Sequence, residues 1–218
     1  MKLAIIGAFG KLGRAVQSLA AKTPSFEINA LIGRLAPREK IDCDILIDAS
    51  SSASFKENIA LALLLKKPFV SAVTGLSASD FELMGKASKS IPIFYSANFS
   101  LGVALLNRFA KEAAVHFDEE VFLTETHHAQ KKDSPSGTAL LIAKNIGPSR
   151  KVNIQSFRVG NVIGEHSLFF QTKEEKLVLS HEAISRDAFA RGILRASLFL
   201  SSKPPGQYSM DDLCKMSP

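Results

Sequence analysis

The 218-residue chain is 46% hydrophobic and 22% charged, the proportions of a globular protein, which exclude a disordered, collagen-like or coiled-coil chain. Lys and Arg number 27 against 21 acidic residues, for a net charge of +6, but they are scattered. No helix-turn-helix or RNA-binding signature accompanies them, so the charge reads first as a solvated basic surface, next as a preference for small anionic ligands, and last as nucleic-acid binding. The longest apolar run, from Ile59 to Leu65, stops at Lys66, far short of the roughly 20 residues that a membrane span needs. The start, Met1-Lys2-Leu3-Ala4-Ile5-Ile6-Gly7, leads into glycines rather than a small-residue cleavage site. With only Cys43 and Cys214 as thiols, the expectation is a cytoplasmic protein with no membrane and no nucleic-acid partner.

In chain order, Lys2–Ile6 is a short β-prone run. Val16, Leu19 and Ala20 fall at helical spacing and predict a helix over 13–22. Residues 26–32 read as a second strand. Residues 44–48, apolar almost throughout, read as a third that is buried on both faces. A helix over 54–65, a strand over 68–73, a turn at Thr74-Gly75, a helix over 79–88 and a strand over 91–96 follow. Strands and helices alternating at this spacing predict a doubly wound parallel sheet. After Asn98 the rhythm changes. One longer helix over 100–116 precedes alternating segments at 119–126 and 152–159, with further strands at 167–171 and 176–180. This stretch reads as an inserted α+β unit with a mixed or antiparallel sheet. A last helix, Asp187–Leu200, returns to the first domain, with Phe189, Ile193, Ala196 and Leu200 on one stripe.

Gly7-Ala8-Phe9-Gly10-Lys11-Leu12-Gly13 follows a strand and opens a helix. Glycines there permit a tight turn and let the backbone approach a pyrophosphate at the helix N-terminus. The plainer alternative is a glycine-rich strand–helix turn. About 20 residues on, a carboxylate is expected to hold the ribose hydroxyl of NAD. The second strand ends instead in Ile32-Gly33-Arg34. A guanidinium pairs well with phosphate, so Arg34 favours NADPH, with NADH as the alternative.

The richest stretch runs from Glu125 to Thr138 and holds His127, His128, Lys131, Lys132 and the turn Ser136-Gly137-Thr138. Side chains alternate along a strand, so His127 and His128 should diverge if the strand reaches them. A helix opening at Ser136-Gly137-Thr138 presents backbone N–H groups to an anion, and Lys131 adds charge. The implied ligand is a small carboxylate or phosphate, with a His and a Lys beside it as candidates for proton transfer. Metal ligation by the adjacent histidines lacks a His-x-x-x-His or a cysteine cluster, and no metal is expected. Ser136 as a helix cap alone remains open, while a serine hydrolase lacks its Gly-x-Ser-x-Gly elbow.

From Glu125-Thr126-His127-His128 through Lys131, Asp133 and Pro135-Ser136-Gly137-Thr138-Ala139, the chain closely resembles the 4-hydroxy-tetrahydrodipicolinate (dihydrodipicolinate) reductases. The resemblance extends over nearly the whole chain. It includes the glycine loop, Asp48-Ala49-Ser50, Val73-Thr74-Gly75, Ala97-Asn98-Phe99-Ser100, and the end from Ser180-His181 through Arg186 and Phe189-Ala190-Arg191-Gly192. It implies a Rossmann-type doubly wound domain over 1–98 with 186–218, and a substrate-binding and oligomerisation domain over 99–185. It also implies reduction of a cyclic imine dicarboxylate by a nicotinamide cofactor on the route to diaminopimelate and lysine, by a cytoplasmic homotetramer. By resemblance His127 is the catalytic proton donor or acceptor and Lys131 the proton donor. His128 binds substrate and Gly137 and Thr138 form the carboxylate-gripping loop, beside which Ser136 is a substrate-binding candidate from its place at the helix start. Gly7, Ala8, Phe9, Gly10, Lys11, Leu12 and Gly13 contact the cofactor, as do Ala72, Val73 and Thr74, and Ser96, Ala97, Asn98 and Phe99.

Three departures stand out. Gly33 replaces the family's frequent ribose-binding acid, Ala72-Val73 stands where Gly-Thr is common, and the linker from Arg34 to Asp44 is short. Two other readings compete. A non-catalytic dinucleotide-binding regulator would not need both His127 and Lys131. A two-domain dehydrogenase of another acid, such as aspartate, leaves Ser136-Gly137-Thr138 unexplained.

Overall fold

The computed structural model describes residues 1–33, 41–147 and 150–215. In chain order its elements are β1 (Lys2–Ile6), α1 (Lys11–Ala20), β2 (Glu27–Ile32), β3 (Ile45–Asp48), a 3₁₀ turn (Ser52–Ser54), α2 (Phe55–Leu65), β4 (Phe69–Ser71), α3 (Ala78–Ala87), β5 (Pro92–Tyr95), α4 (Leu101–His116), β6 (Val121–His127), α5 (Gly137–Ile146), β7 (Val152–Arg158), β8 (Glu165–Gln171), β9 (Lys176–Glu182), α6 (Asp187–Leu200), β10 (Gly206–Tyr208) and α7 (Met210–Cys214). The chain divides into two units, Met1–Phe99 with Asp187–Pro218, and Ser100–Arg186.

The first unit holds a six-stranded sheet in the order β10-β5-β4-β3-β1-β2, every pair parallel. Helices on both faces bury the central strands completely, which is why Leu3 to Ile6 and Ile45 to Asp48 carry no solvent-facing side chain. Register matters most for function. Ile32, Ile6, Asp48, Ser71 and Tyr95 pair in one row across five strands. The carboxyl ends of those strands are therefore level, and the loops that follow them leave from one edge.

Two differences from the sequence reading have local causes. Helix α1 starts at Lys11, before Gly13, because Gly10 is extended (ψ 168°) and already caps it. Strand β10 and helix α7 carry no hydrophobic period long enough to recognise; β10 is three residues, held by pairing with β5.

The second unit is a four-stranded mixed sheet in the order β7-β6-β8-β9. Strands β6 and β7 run parallel across a crossover through α5, whereas β8 lies antiparallel on the other side of β6. Val121 and Leu123 of β6, with Leu168 and Phe170 of β8, form a core under Leu106, Ala110 and Ala114 of α4 and Ala139, Ile142 and Ile146 of α5. Two residues further along the same face of β6, the side chains become polar.

Candidate active site

At the carboxyl edge of the first sheet, Gly7 takes φ +73°, and a Cβ on it would lie 2.6 Å from the Ala49 carbonyl oxygen. A Cβ on Gly13 would lie 2.3 Å from the Gly7 carbonyl oxygen. Both positions require glycine for the loop to fold this tightly against α1. The Gly7 N–H donates to the Ile32 carbonyl at 2.9 Å and the Gly10 N–H to the Gly7 carbonyl at 3.0 Å. No side chain caps α1, so its N-terminal donors and partial positive charge face the loop. Beside it lies a cleft of about 310 Å³ lined by Ile6, Gly7, Gly10, Gly33, Ala49, Ser50, Ser51, Ser54 and Glu57. This cradle, shaped by the lack of side chains at Gly7 and Gly13, fits a dinucleotide pyrophosphate.

Neighbouring loops on this edge are pinned from within. Buried Asp48 accepts the Ser50 N–H at 3.0 Å and hydroxyl at 2.5 Å, and the Asn58 amide at 3.0 Å. Sequence reading left Asp48 without a role, although a buried acid at a strand end is itself a signal. Ser96 donates its hydroxyl to the Asn98 carbonyl and receives the Asn98 N–H. Thr74 and Ala97 are exposed at this edge, while Ala8, Val73 and Phe99 are core residues. Those three could meet a ligand only through their backbone. Gly192 of α6 lets the helix lie against Phe99; a Cβ there would come within 1.7 Å of the Phe99 carbonyl oxygen. Exposed Phe9 covers Gly33, where a Cβ would meet its ring at 2.9 Å. Arg34 lies outside the described residues.

In the second unit the polar end of β6 forms a buried cluster. Glu125 and His127 share the covered face, as i and i+2 on a strand must. The Glu125 carboxylate is wholly buried and contacts His127 Nδ1 closely. Arg158 grips it bidentately, Nη1 at 3.0 Å and Nη2 at 2.8 Å, and the Ser136 N–H adds a bond at 3.1 Å. Burial alone would raise the Glu125 pKa, but Arg158, Ser156, His127 and Ser136 together pull it down to about 2. Burial lowers the His127 pKa despite the opposing pull of Glu125. His166, opposite Glu125 in the β8 register, packs edge-on against His127 with ring centroids 5.2 Å apart. Burial, then the neighbouring His127, takes the His166 pKa down to about 4.

The turn after β6 brings the remaining expected residues together. Lys131 Nζ lies 2.8 Å from Asp133, whose second oxygen receives a long bond from the Gly137 N–H at 3.4 Å. Gly137 opens α5, and a Cβ there would face open space. Thr138 follows it, half-buried. His128 starts the turn just past β6, and its buried Nδ1 has no partner among the described residues. Ser136 departs from expectation. Its hydroxyl caps α5 by accepting the Ala139 N–H at 3.2 Å, sits 3.4 Å from His166 Nε2, and is 1% exposed. The side chain is thus a cap turned into the core, whereas Gly137 is exposed and Thr138 half-buried. Glu125, Arg158 and His166 were not recognised from sequence. The i, i+2 spacing of Glu125 and His127 was the available signal; Arg158 and His166 come from strands whose pairing sequence does not reveal.

Models of the family described as dihydrodipicolinate reductase match the chain twice, the N-terminus over residues 1–99 and the C-terminus over 102–214. The 4-hydroxy-tetrahydrodipicolinate reductase of Zymomonas mobilis is 35% identical over 246 residues, covering 98% of this chain and 96% of the relative. That of Caldanaerobacter subterraneus subsp. tengcongensis is 35% identical, covering 99% and 98%. In fold, the chain is similar to a dipicolinate-bound dihydrodipicolinate reductase from Paenisporosarcina sp. TG-14, with a TM-score of 0.81 at 20% identity over 96% of this chain and 97% of that one.

Proposed function

This chain belongs to the dihydrodipicolinate reductase family, and on that footing we propose how its residues carry the reaction. The protein is an oxidoreductase that uses NAD(P)H to reduce 4-hydroxy-tetrahydrodipicolinate to tetrahydrodipicolinate in diaminopimelate and lysine biosynthesis. One observation carries the assignment of residues. A lysine ammonium, an anchored histidine and an outward-facing helix N-terminus converge on one turn of the second unit.

The 4-hydroxyl leaves as water, and a reduced nicotinamide, when bound, would supply the hydride to a ring carbon of the resulting cyclic imine. The glycine loop from Gly7 to Gly13 holds the pyrophosphate, and Ala72 to Thr74 and Ser96 to Phe99 border the cofactor at the same sheet edge. Gly137 and Thr138 grip a substrate carboxylate at the start of α5, where backbone dipoles favour an anion. Lys131 gives a proton to the carbon beside the reduced one and recovers it from solvent. His127 presents Nε2 to the ring as proton acceptor or donor, and His128, at the start of the same turn, binds substrate. Pyridine-2,6-dicarboxylate, a planar dicarboxylate, should bind this turn and compete with substrate, while pyridine-2-carboxylate should bind much more weakly. Equal competition by both, or none by either, removes the carboxylate grip.

Three finer readings go with this. The enzyme prefers NADPH. Arg34 supplies a phosphate partner where a ribose-binding acid is common, and Gly33 beside it carries no carboxylate. Equal kcat/KM for NADPH and NADH, unaltered by Arg34→Glu, would refute it. The protein is a homotetramer assembled through the open face of the second sheet, where Phe122, Phe157 and Val178 are exposed; a monomer by light scattering at assay concentration would refute that. Its setting is the cytoplasm, in keeping with buried Cys43, which is in no disulfide. No helix among the described residues is long and apolar enough to cross a membrane.

A further inference from the structure

We propose that Glu125 and Arg158 are positioning residues for the reduction. Glu125 keeps the proton of His127 on Nδ1 so that Nε2 is the nitrogen offered to the substrate. Arg158 holds both Glu125 and the turn that carries Lys131. The inference rests on the roles given to His127 and Lys131 above.

An ionised carboxylate can only accept hydrogen bonds, so the His127 nitrogen against Glu125 must carry the proton. Glu125 stays ionised although fully buried because donors from Arg158, Ser156 and the Ser136 backbone converge on it. The His127 ring packs edge-on against His166. Its other nitrogen is kept clear by a missing side chain. A Cβ on Gly164 would lie 3.1 Å from His127 Nε2 and 3.4 Å from Cδ2.

Arg158 does more than neutralise Glu125. Its Nη2 also donates to the Asp133 carbonyl at 2.5 Å, and Asp133 sits two residues from Lys131 in the same turn. One guanidinium thereby fixes the strand end that bears His127 and the turn that bears Lys131. A buried ion pair that merely stitches β6 to β7 would have no reason to reach the turn or to abut the imidazole.

The test uses the full chain with 15N-labelled histidine. Imidazole nitrogen shifts report which nitrogen is protonated, and the His127→Asn spectrum identifies the His127 signals. The wild type should show His127 protonated on Nδ1. In Glu125→Gln the amide can donate to Nδ1, so protonation should move to Nε2. There kcat should fall about 100-fold or more, as when an orienting carboxylate behind a catalytic imidazole is lost, while KM and inhibition by pyridine-2,6-dicarboxylate change less than about threefold. Because Glu125→Gln leaves Arg158 uncompensated, the double variant Glu125→Gln/Arg158→Gln guards against a folding failure and should show the same tautomer change. A wild-type His127 protonated only on Nε2, or an unchanged tautomer with wild-type kcat in both variants, overturns the proposal. Loss of kcat in His127→Asn with retention in Glu125→Gln sinks the positioning role alone. Retention of kcat in His127→Asn sinks the role of His127 on which it rests.

Discussion

Asp133 lies in the place proposed for a substrate carboxylate. Its two oxygens meet Lys131 Nζ at 2.8 Å and the Gly137 N–H at 3.4 Å. A dicarboxylate that binds there must displace it. The pair is partly exposed, with 22% of the Lys131 and 56% of the Asp133 side chain accessible. Such a bridge is worth about 0.2–1 kcal/mol, and the long bond from Gly137 adds little. Asp133→Asn should therefore tighten binding of pyridine-2,6-dicarboxylate by about 1.4- to 5-fold, since 1.4 kcal/mol is about tenfold. The gain should shrink as salt screens the pair. The turn itself should survive, because Arg158 holds the Asp133 carbonyl rather than its side chain. Titration calorimetry of wild type and variant at low and high salt measures this. Binding weakened fivefold or more in Asp133→Asn would show that Asp133 instead holds Lys131 ready for the ligand, and would refute the displacement argument.

Other outcomes follow from the same geometry. Lys131→Ala should lower kcat about 10²–10⁴-fold, the range for a lost general acid, and leave NADPH affinity by fluorescence titration unchanged. Gly13→Ala would push a Cβ to 2.3 Å from the Gly7 carbonyl oxygen, so NADPH affinity should fall at least tenfold while calorimetry still detects dicarboxylate binding. His166 has a folded pKa of about 4 against an ordinary 6.5, so between those values the unfolded chain binds more protons and stability falls as pH drops. The loss should be roughly 2–4 kcal/mol by pH 4, and His166→Gln should flatten the melting temperature across that window.

Much of the first unit was legible because parallel strands buried on both faces advertise themselves as unbroken apolar runs, as in Ile45-Leu46-Ile47. The glycine loop was equally legible, because close backbone approach at Gly7 and Gly13 excludes other residues. Strand β10 was not, since three residues held by pairing with β5 leave no periodic trace. In the second unit the composition of the turn from His128 to Thr138 marked it as a candidate site. Its support did not, because Arg158 reaches Glu125 only through the parallel pairing of β6 with β7, and His166 through the antiparallel pairing with β8. Ser136 shows the limit of composition from the other side. A hydroxyl in a reactive-looking turn proves to be a buried helix cap.

The central claim is that this turn reduces a cyclic imine dicarboxylate with a nicotinamide cofactor. The most direct measurement follows NADPH absorbance with the purified chain and substrate generated in the cuvette from pyruvate and aspartate semialdehyde. NADPH oxidation should depend on substrate formation, be competitively inhibited by pyridine-2,6-dicarboxylate, and be nearly abolished in Lys131→Ala. No oxidation by the wild type, or equal oxidation by Lys131→Ala, would contradict that claim.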